Sequence, residues 1–433
     1  MNFRLSNAII GWISLALMTT ALADVEPADY EGRDLNGGIP IRLDTPRIEP
    51  VDPDNMTPAQ SQALSGSIAQ RGGLMNVFGT IGQYPEIYSR WIAFAGYVRS
   101  GVDIDLREAE LLICRIAWLT NAEYEWSAHT ARALNAGMTG AEILMIAEGP
   151  EAEGWGERDR LLMWAADEMH ADAFISEATW NGLRQFYSDR QLMDVVFTAA
   201  SYHMLAYALN SFGVQLEPGA EGFPDNAEIT DMSGGRSGRV SKVHAQPSPL
   251  ASPRIPSLSD SEWSAEQREL LAPMQAERGS VPNIYRTMVQ NPDLYIPRLE
   301  FGRYFQREST LPARERELLI CRIAVLTNAE YEWSAHTAYG LDAGLSREEL
   351  TRLKNTDTFS GWETNDLALI RATDQLHETA FITDEVWDTL AETYSEKQMM
   401  EIVFTIGAYH MLAVALNSFG VPLEDNPNRF ADF

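Results

Sequence analysis

The chain has 433 residues, 45% of them hydrophobic and 10% aromatic, enough material for two or three buried domains. Its 62 acidic residues against 33 basic ones give a formal charge of −29, which opposes contact with a phosphate backbone and excludes nucleic acid as an expected partner. The two cysteines, Cys114 and Cys321, cannot build a disulfide framework; each sits in the apolar run "LLICRIA" and reads as a buried small hydrophobe.

Residues 1–23 have the pattern of an export signal. Arg4 supplies the positive start, "AIIGWISLALMTTALA" the apolar stretch, and Ala21-Leu22-Ala23 the small-residue cleavage motif. The mature chain is therefore expected to begin at Asp24 and to be periplasmic or secreted. No later segment is expected to be long enough for a membrane span. Residues 24–45 read as an irregular N-terminal extension.

From residue 46 onward the chain is one unit written twice. Shifting the sequence by 207 residues lays "PRI" at 46–48 on "PRI" at 253–255, and the register holds without a gap to "GVQLE" (213–217) on "GVPLE" (420–424). The run "TNAEYEWSAHT" recurs letter for letter at 120–130 and 327–337, and between 110–131 and 317–338 only Trp118 against Val325 differs. Residues 218–252, rich in Pro, Gly and Ser, read as a linker between domains 46–217 and 253–424, with 425–433 as a tail. A gapless duplication with long apolar helices predicts an internal pseudo-dimer, which can associate further with copies of itself.

Within each unit the spacing predicts helices only. "REAELLICRIAWLT" carries apolar residues at helical intervals, and Thr120-x-x-Glu123 reads as a capping box that starts the next helix, ending near Gly137. Thr139-x-x-Glu142 and, in the second unit, Ser346-x-x-Glu349 are further boxes. A helix from about Asp167 carries His170, and the long apolar "LMDVVFTAASYHMLAYALNSF" ends at Gly213. Nothing alternates with period two over a strand's length, so the expected class is all-α.

Six of the seven histidines fall in duplicated pairs: His129 with His336, His170 with His377, and His203 with His410; His244 lies in the linker. Glu125 and His129, four apart, share a helix face and follow a helix in which Glu110 and Arg115 stand amid apolar residues. A carboxylate and a guanidinium in such surroundings must be paired or put to use. Arg115, with its copy Arg322, is expected either to hold a substrate carboxylate or to neutralise Glu110. His170 and His377 read as helix-end residues near the negative end of the dipole. His203, with its copy His410, reads as a core histidine or as a pocket residue on the last helix.

The run from Glu110 through "RIAWLTNAEYEWSAHTARALNAG", together with "NVF" (76–78), "NIY" (283–285), Pro85, Pro292 and the two "ALNSFGV" endings, resembles the carboxymuconolactone decarboxylase family, which includes the alkylhydroperoxidase D proteins. The resemblance implies an all-α fold of two tandem alkylhydroperoxidase D-like domains associating through their helices. In the peroxidase branch it implies a glutamate, two cysteines three apart and a histidine four further on. Glu110 and His129 fall on the glutamate and histidine, but Ala122 and Glu125 stand where the cysteines would be, as do Ala329 and Glu332 beside Glu317 and His336. A thiol peroxidase therefore lacks its atoms here.

The non-thiol branch implies decarboxylation or isomerisation of small lactones and unsaturated acids with no cofactor. The expected catalytic residues are Glu110, Glu125 and His129, and Glu317, Glu332 and His336, for general acid–base chemistry. Arg115, Tyr124, Trp126, His203, Arg322, Tyr331, Trp333 and His410 are the expected binding residues for a small anionic or aromatic substrate. No metal is expected. Two other readings stand beside this one: a metal site on Glu125, His129 and His203, and a ligand-binding protein without chemistry.

Overall fold

In the computed structural model, which describes residues 43–224, 250, 252–354, 360–425 and 427–433, capping boxes open helices after Thr57, Asp105, Thr139 and Ser188 in the first unit. Ser264, Ser346 and Ser395 do the same in the second. The described residues contain helices and no strand, as the sequence pattern predicts. The export signal and His244 lie outside the described residues, as do most of the N-terminal extension and of the linker.

The first unit contributes α1 (Pro58–Arg71), α2 (Asn76–Ile81), α3 (Pro85–Ser100), α4 (Leu106–Leu119), α5 (Glu123–Asn135), α6 (Gly140–Glu148), α7 (Glu157–Asp172), α8 (Glu177–Leu183) and α9 (Asp189–Phe212). The second repeats them as α10 (Ala265–Arg278), α11 (Asn283–Met288), α12 (Pro292–Arg303), α13 (Ala313–Leu326), α14 (Glu330–Asp342), α15 (Arg347–Leu353), α16 (Thr364–Thr379), α17 (Asp384–Ala391) and α18 (Glu396–Phe419). One local difference is that α12 runs into a π-helical turn at Tyr304–Glu308.

Three expectations need correction. Thr120 does not cap α5: it closes α4, its hydroxyl donating back to the Ile116 carbonyl at 2.7 Å, and Ala122 stands at the N-cap without a side-chain bond. The helix carrying His170 begins at Glu157, ten residues before the expected start, because its first turns are charged on the outer face and only the later ones are buried. Finally, α9 and α18 are each 24 residues and long and apolar enough to cross a membrane, contrary to the expectation for later segments; both are 94% buried inside the protein. A helix that is apolar on all sides needs cover on all sides, and here protein supplies it.

These two helices pack on each other and form the seam between the units. Around the seam the contacts are reciprocal, as a two-fold dimer interface requires. Asn210 donates to the carbonyls of Thr120 (3.0 Å) and, across the seam, of Ala380 (3.1 Å); Asn417 donates to those of Thr327 (2.8 Å) and Ala173 (3.2 Å). Arg47 donates to the Ile382 carbonyl at 2.7 Å and Arg254 to that of Ile175 at 2.6 Å. Ala173 and Ala380 close α7 and α16 with left-handed φ of 49° and 55°, a conformation alanine holds only when its surroundings fix it. The units also share α3 and α12, where Phe94 and Phe301 stack at 5.8 Å.

Two aromatic straps follow the long helices. Phe223 lies against Trp118 and Trp126 (5.3 and 5.6 Å), and Phe430, 207 residues later, stacks on Trp333 at 5.1 Å. The duplication therefore runs on past "GVQLE" and "GVPLE".

The two long helices pack tightly at Gly407, where a Cβ would stand 2.6 Å from Cγ and 3.3 Å from Cα of Met204. Part of that clash is with backbone, so rotation of the Met204 side chain alone cannot relieve it. Gly407→Ala should cost about 1–3 kcal/mol of stability, measured as a lower denaturant midpoint; an unchanged midpoint would mean the seam is looser than described.

Candidate active site

The site is built by one tight turn. α4 ends at Thr120, Asn121 takes the left-handed conformation (φ 56°) that asparagine tolerates, and the Ala122 amide donates back to the Ala117 carbonyl at 2.8 Å. The chain reverses and α5 lies along α4. Asn328 (φ 51°) and Ala329 do the same in the second unit. The reversal lays His129 against Glu110.

Glu110 is 1% exposed and its two oxygens are both engaged: Oε2 with His129 Nδ1 at 2.6 Å, Oε1 with Arg132 Nε at 2.7 Å. Burial pushes this carboxyl up, but the hydrogen bond from His129 and the charges of His129 and Arg132 outweigh it and hold it below the usual carboxylate range. In the second unit His336 Nδ1 meets Glu317 Oε2 at 2.7 Å, and the second partner is Arg316, whose Nε lies 3.2 Å from Oε1. The guanidinium comes from the neighbouring residue because Tyr339 occupies the position of Arg132.

Glu125 is treated differently. It is 1% exposed, neither oxygen has a hydrogen-bond partner among the described residues, and burial raises its pKa well above the ordinary carboxylate value, favouring the neutral acid. It is not a surface partner of His129. Glu332 is in the same state, its pKa raised first by burial, opposed by the charge of Arg298 and reinforced by Glu317. Glu125 and His129 both line a cavity of about 400 Å³, with Tyr124, Phe78, Trp91 and Tyr202 among its walls. Glu332 and His336 line the corresponding cavity of about 360 Å³, with Tyr331, Tyr285 and Tyr409. Glu110 stands behind His129 and does not reach the cavity surface.

Several expected binding residues are elsewhere. Arg115 does not neutralise Glu110 or face the cavity: its Nε and Nη2 clamp Asp167 at 2.6 and 2.9 Å and its Nη1 donates to the Ile146 carbonyl, locking α4 to α7. Arg322 repeats this with Asp374 at 2.6 and 2.8 Å. Trp126 and Trp333 pack under the aromatic straps outside the cavity linings.

His203 and His410 lie at the seam, not with Glu125 and His129. His203 Nε2 is 2.9 Å from Nδ1 of His170, and its ring stacks on His410 at 4.5 Å, with His377 5.8 Å beyond. The proposed trio of Glu125, His129 and His203 is therefore split. Among the described residues no group of three or more His, Cys, Asp or Glu is arranged to hold a metal ion. His170 and His377 do occupy the last turns of their helices, but their rings belong to this four-histidine cluster.

Reading the sequence missed Arg132 and Tyr202. The Tyr202 ring meets His129 edge-on at 4.7 Å, and Tyr409 meets His336 at 4.8 Å. The signal was present: this tyrosine is duplicated and adjacent to His203, so its side chain points about a quarter-turn away, towards the cavity. Arg132 gave no such signal, because its counterpart is Tyr339.

The carboxymuconolactone decarboxylase family model matches the chain twice, over residues 85–168 and 292–374. Each match runs from the proline that opens α3 or α12 into α7 or α16, and so contains the paired glutamates and the histidine, while Tyr202, Tyr409 and the long seam helices lie beyond it. No curated protein matches the chain.

The histidine cluster predicts a pH dependence of stability. Burial first, then the charges of neighbouring histidines, lowers the pKa of His203 and His410 well below the ordinary value, and burial with His377 and Arg115 lowers His170 from 6.5 to about 4. The unfolded chain thus binds more protons than the native one between those values, so stability is full above pH 6.5 and is lost as pH falls towards 4. For His170 alone this is on the order of 3 kcal/mol. Urea midpoints should fall across that window, and His203→Leu with His410→Leu should flatten the fall; an equal slope in that variant would place the acid sensitivity elsewhere.

Proposed function

Starting from a chain that carries two carboxymuconolactone decarboxylase domains, we propose that each unit houses an acid–base site that decarboxylates or isomerises a small carboxylated, lactone or aromatic-derived metabolite without a cofactor. The observation that supports this reading is a pair of buried glutamates in unlike states around one histidine. Glu110 is bonded to Nδ1 and held below the usual carboxylate range; Glu125 is on the cavity wall, pushed towards the neutral acid by burial, with no partner on either oxygen among the described residues. Environments that push two carboxyls apart assign them different roles. From the pattern of residues 1–23 we also infer that the protein is exported, to a periplasm or beyond the cell.

Glu110, accepting from Nδ1–H, fixes the imidazole tautomer, so Nε2 of His129 is the atom that exchanges a proton with the ligand. In decarboxylation the bond to the carboxylate carbon breaks, carbon dioxide leaves, and the electron pair moves into a conjugated carbonyl as an enolate. Glu125 donates a hydrogen bond to the enolate oxygen, and protonated His129 delivers its proton to carbon. In isomerisation neutral His129 takes the proton from one carbon and returns it to another through the same enolate. Glu317, Glu332 and His336 take these roles in the second unit.

Thiol peroxidase chemistry is not supported. Ala122 and Glu125 fill the positions of the paired cysteines, and Cys114 and Cys321 are buried, with burial pushing both thiols well above their ordinary pKa.

Replacing His129 and His336 together by Gln should abolish turnover of a lactone or unsaturated acid found by screening, with helical circular dichroism unchanged; full activity would move the chemistry elsewhere. Glu125→Ala with Glu332→Ala removes the donor to the enolate oxygen and should slow turnover about a hundred- to a thousandfold. In decarboxylation, where both Glu125 and His129 must be protonated, wild-type turnover should fall on the alkaline side, as pH passes the raised pKa of Glu125. Cys114→Ala with Cys321→Ala should leave turnover nearly intact; hydroperoxide reduction lost in that variant would overturn the assignment.

A further inference from the structure

The reacting groups of the two units are the same, but the cavity walls are not. Going from the first cavity to the second, Phe78 becomes Tyr285, Trp91 becomes Arg298, Arg99 becomes Gln306 and Arg132 becomes Tyr339. These exchanges move positive charge.

In the first cavity three guanidiniums, of Arg71, Arg99 and Arg132, gather in a largely apolar lining. Arg71 and Arg99 both donate to Gln70 Oε1, at 3.2 and 3.3 Å, and Arg71 lies over the Phe78 ring at 4.4 Å. Of the three, only Arg132 is joined to a carboxylate among the described residues. Burial, then the charges of Arg99 and Arg132, lowers the pKa of Arg71, which shows the three cations opposing one another. In a chain with a formal charge of −29, cations left facing each other around a cavity are a cost unless an anion joins them. The apolar side of the same cavity, with Ile92, Phe94 and Leu205, suits a hydrocarbon body.

The second cavity arranges its polar groups differently. Arg278 donates to the Tyr339 hydroxyl at 3.3 Å and Gln306 to that of Tyr409 at 3.1 Å. Its other guanidinium, Arg298, has its pKa lowered by burial, opposed by Tyr285, Tyr409, Glu332 and Tyr295, with no neighbouring cation acting on it. Two guanidiniums line it, against three in the first cavity, and no like charge is among the groups acting on either.

We propose that the two sites of one chain select different ligands: the first takes a small carboxylate with an apolar body, its carboxylate held by Arg71 and Arg99 beside Arg132, and the second rejects it. This rests on the cavities being the substrate sites, and it names Arg99/Gln306, Arg132/Tyr339 and Trp91/Arg298 as the positions that separate them. Shared acid–base groups then serve two substrates.

Isothermal titration of the full chain with trans-cinnamate, and with cinnamamide as its uncharged twin, tests this apart from turnover. The expected result is one equivalent of cinnamate per chain, weakened by added salt. The amide, and the variants Arg71→Gln and Arg99→Gln, should each bind about ten- to a hundredfold more weakly, the worth of a charge-assisted hydrogen bond. Both arginines are partly exposed, and unchanged circular dichroism of the variants will show that the fold is kept. As the gain-of-function arm, Gln306→Arg, Tyr339→Arg and Arg298→Trp together should add a second equivalent. Two equal sites in the wild type, equal affinity for acid and amide, no cinnamate binding, or indifference to Arg99→Gln would each overturn the proposal. His129→Gln should retain binding while losing turnover, so failure of the acid–base reading would appear in turnover alone.

Discussion

A carboxylate that is 1% exposed must be given partners inside the protein, and Glu110 is where that requirement shapes the fold. Its two oxygens are met from α5 by His129 and Arg132, so α5 must return along α4 within a residue or two. Asn121 makes the return possible by accepting the left-handed conformation. Once α5 is held there, the next face of the same helix carries Glu125 and Tyr124 to the cavity wall. One ion pair thereby fixes both the backbone reversal and the place of the neutral acid.

The rigidity of that arrangement comes from outside the family-matched segments. α9 and α18 bury each other and carry Tyr202 and Tyr409 to the histidines, while the adjoining positions carry His203 and His410 to the seam. Neither nitrogen of His410 has a hydrogen-bond partner among the described residues, and the Tyr207 hydroxyl beside it is equally unpartnered. Buried polar groups in that condition oppose folding, so the seam spends some of its apolar burial on keeping imidazoles neutral.

Helix class, duplication and the paired glutamate and histidine were legible from residues alone, because apolar spacing and a repeated run are local signals. The Asn210 and Asn417 bonds across the seam were not: each asparagine sits on an apolar helix and finds its carbonyl in the other unit. Arg115 was misread for a related reason. A guanidinium amid apolar residues must have a partner, but nothing local chooses between Glu110, five residues back on the same helix, and Asp167, which is 52 residues away and lies on α7. The Thr120 box failed because a hydroxyl near a helix end can serve the helix behind it as well as the one ahead.

Fusion of the two units changes what each site is free to become. In a two-fold homodimer every substitution appears twice, so a cavity wall cannot be altered on one side only. With both copies on one chain, the groups that carry protons can stay the same while the walls diverge, and the exchange of Arg132 for Tyr339 shows how this is accommodated. Loss of that guanidinium would leave Glu317 with one partner; Arg316, on the preceding residue of α13, supplies the second bond from the other side. The two-partner glutamate behind the histidine is thus preserved while the cavity wall around it is rebuilt. Charge balance at the buried glutamate, not identity of the arginine, is what the two halves hold in common.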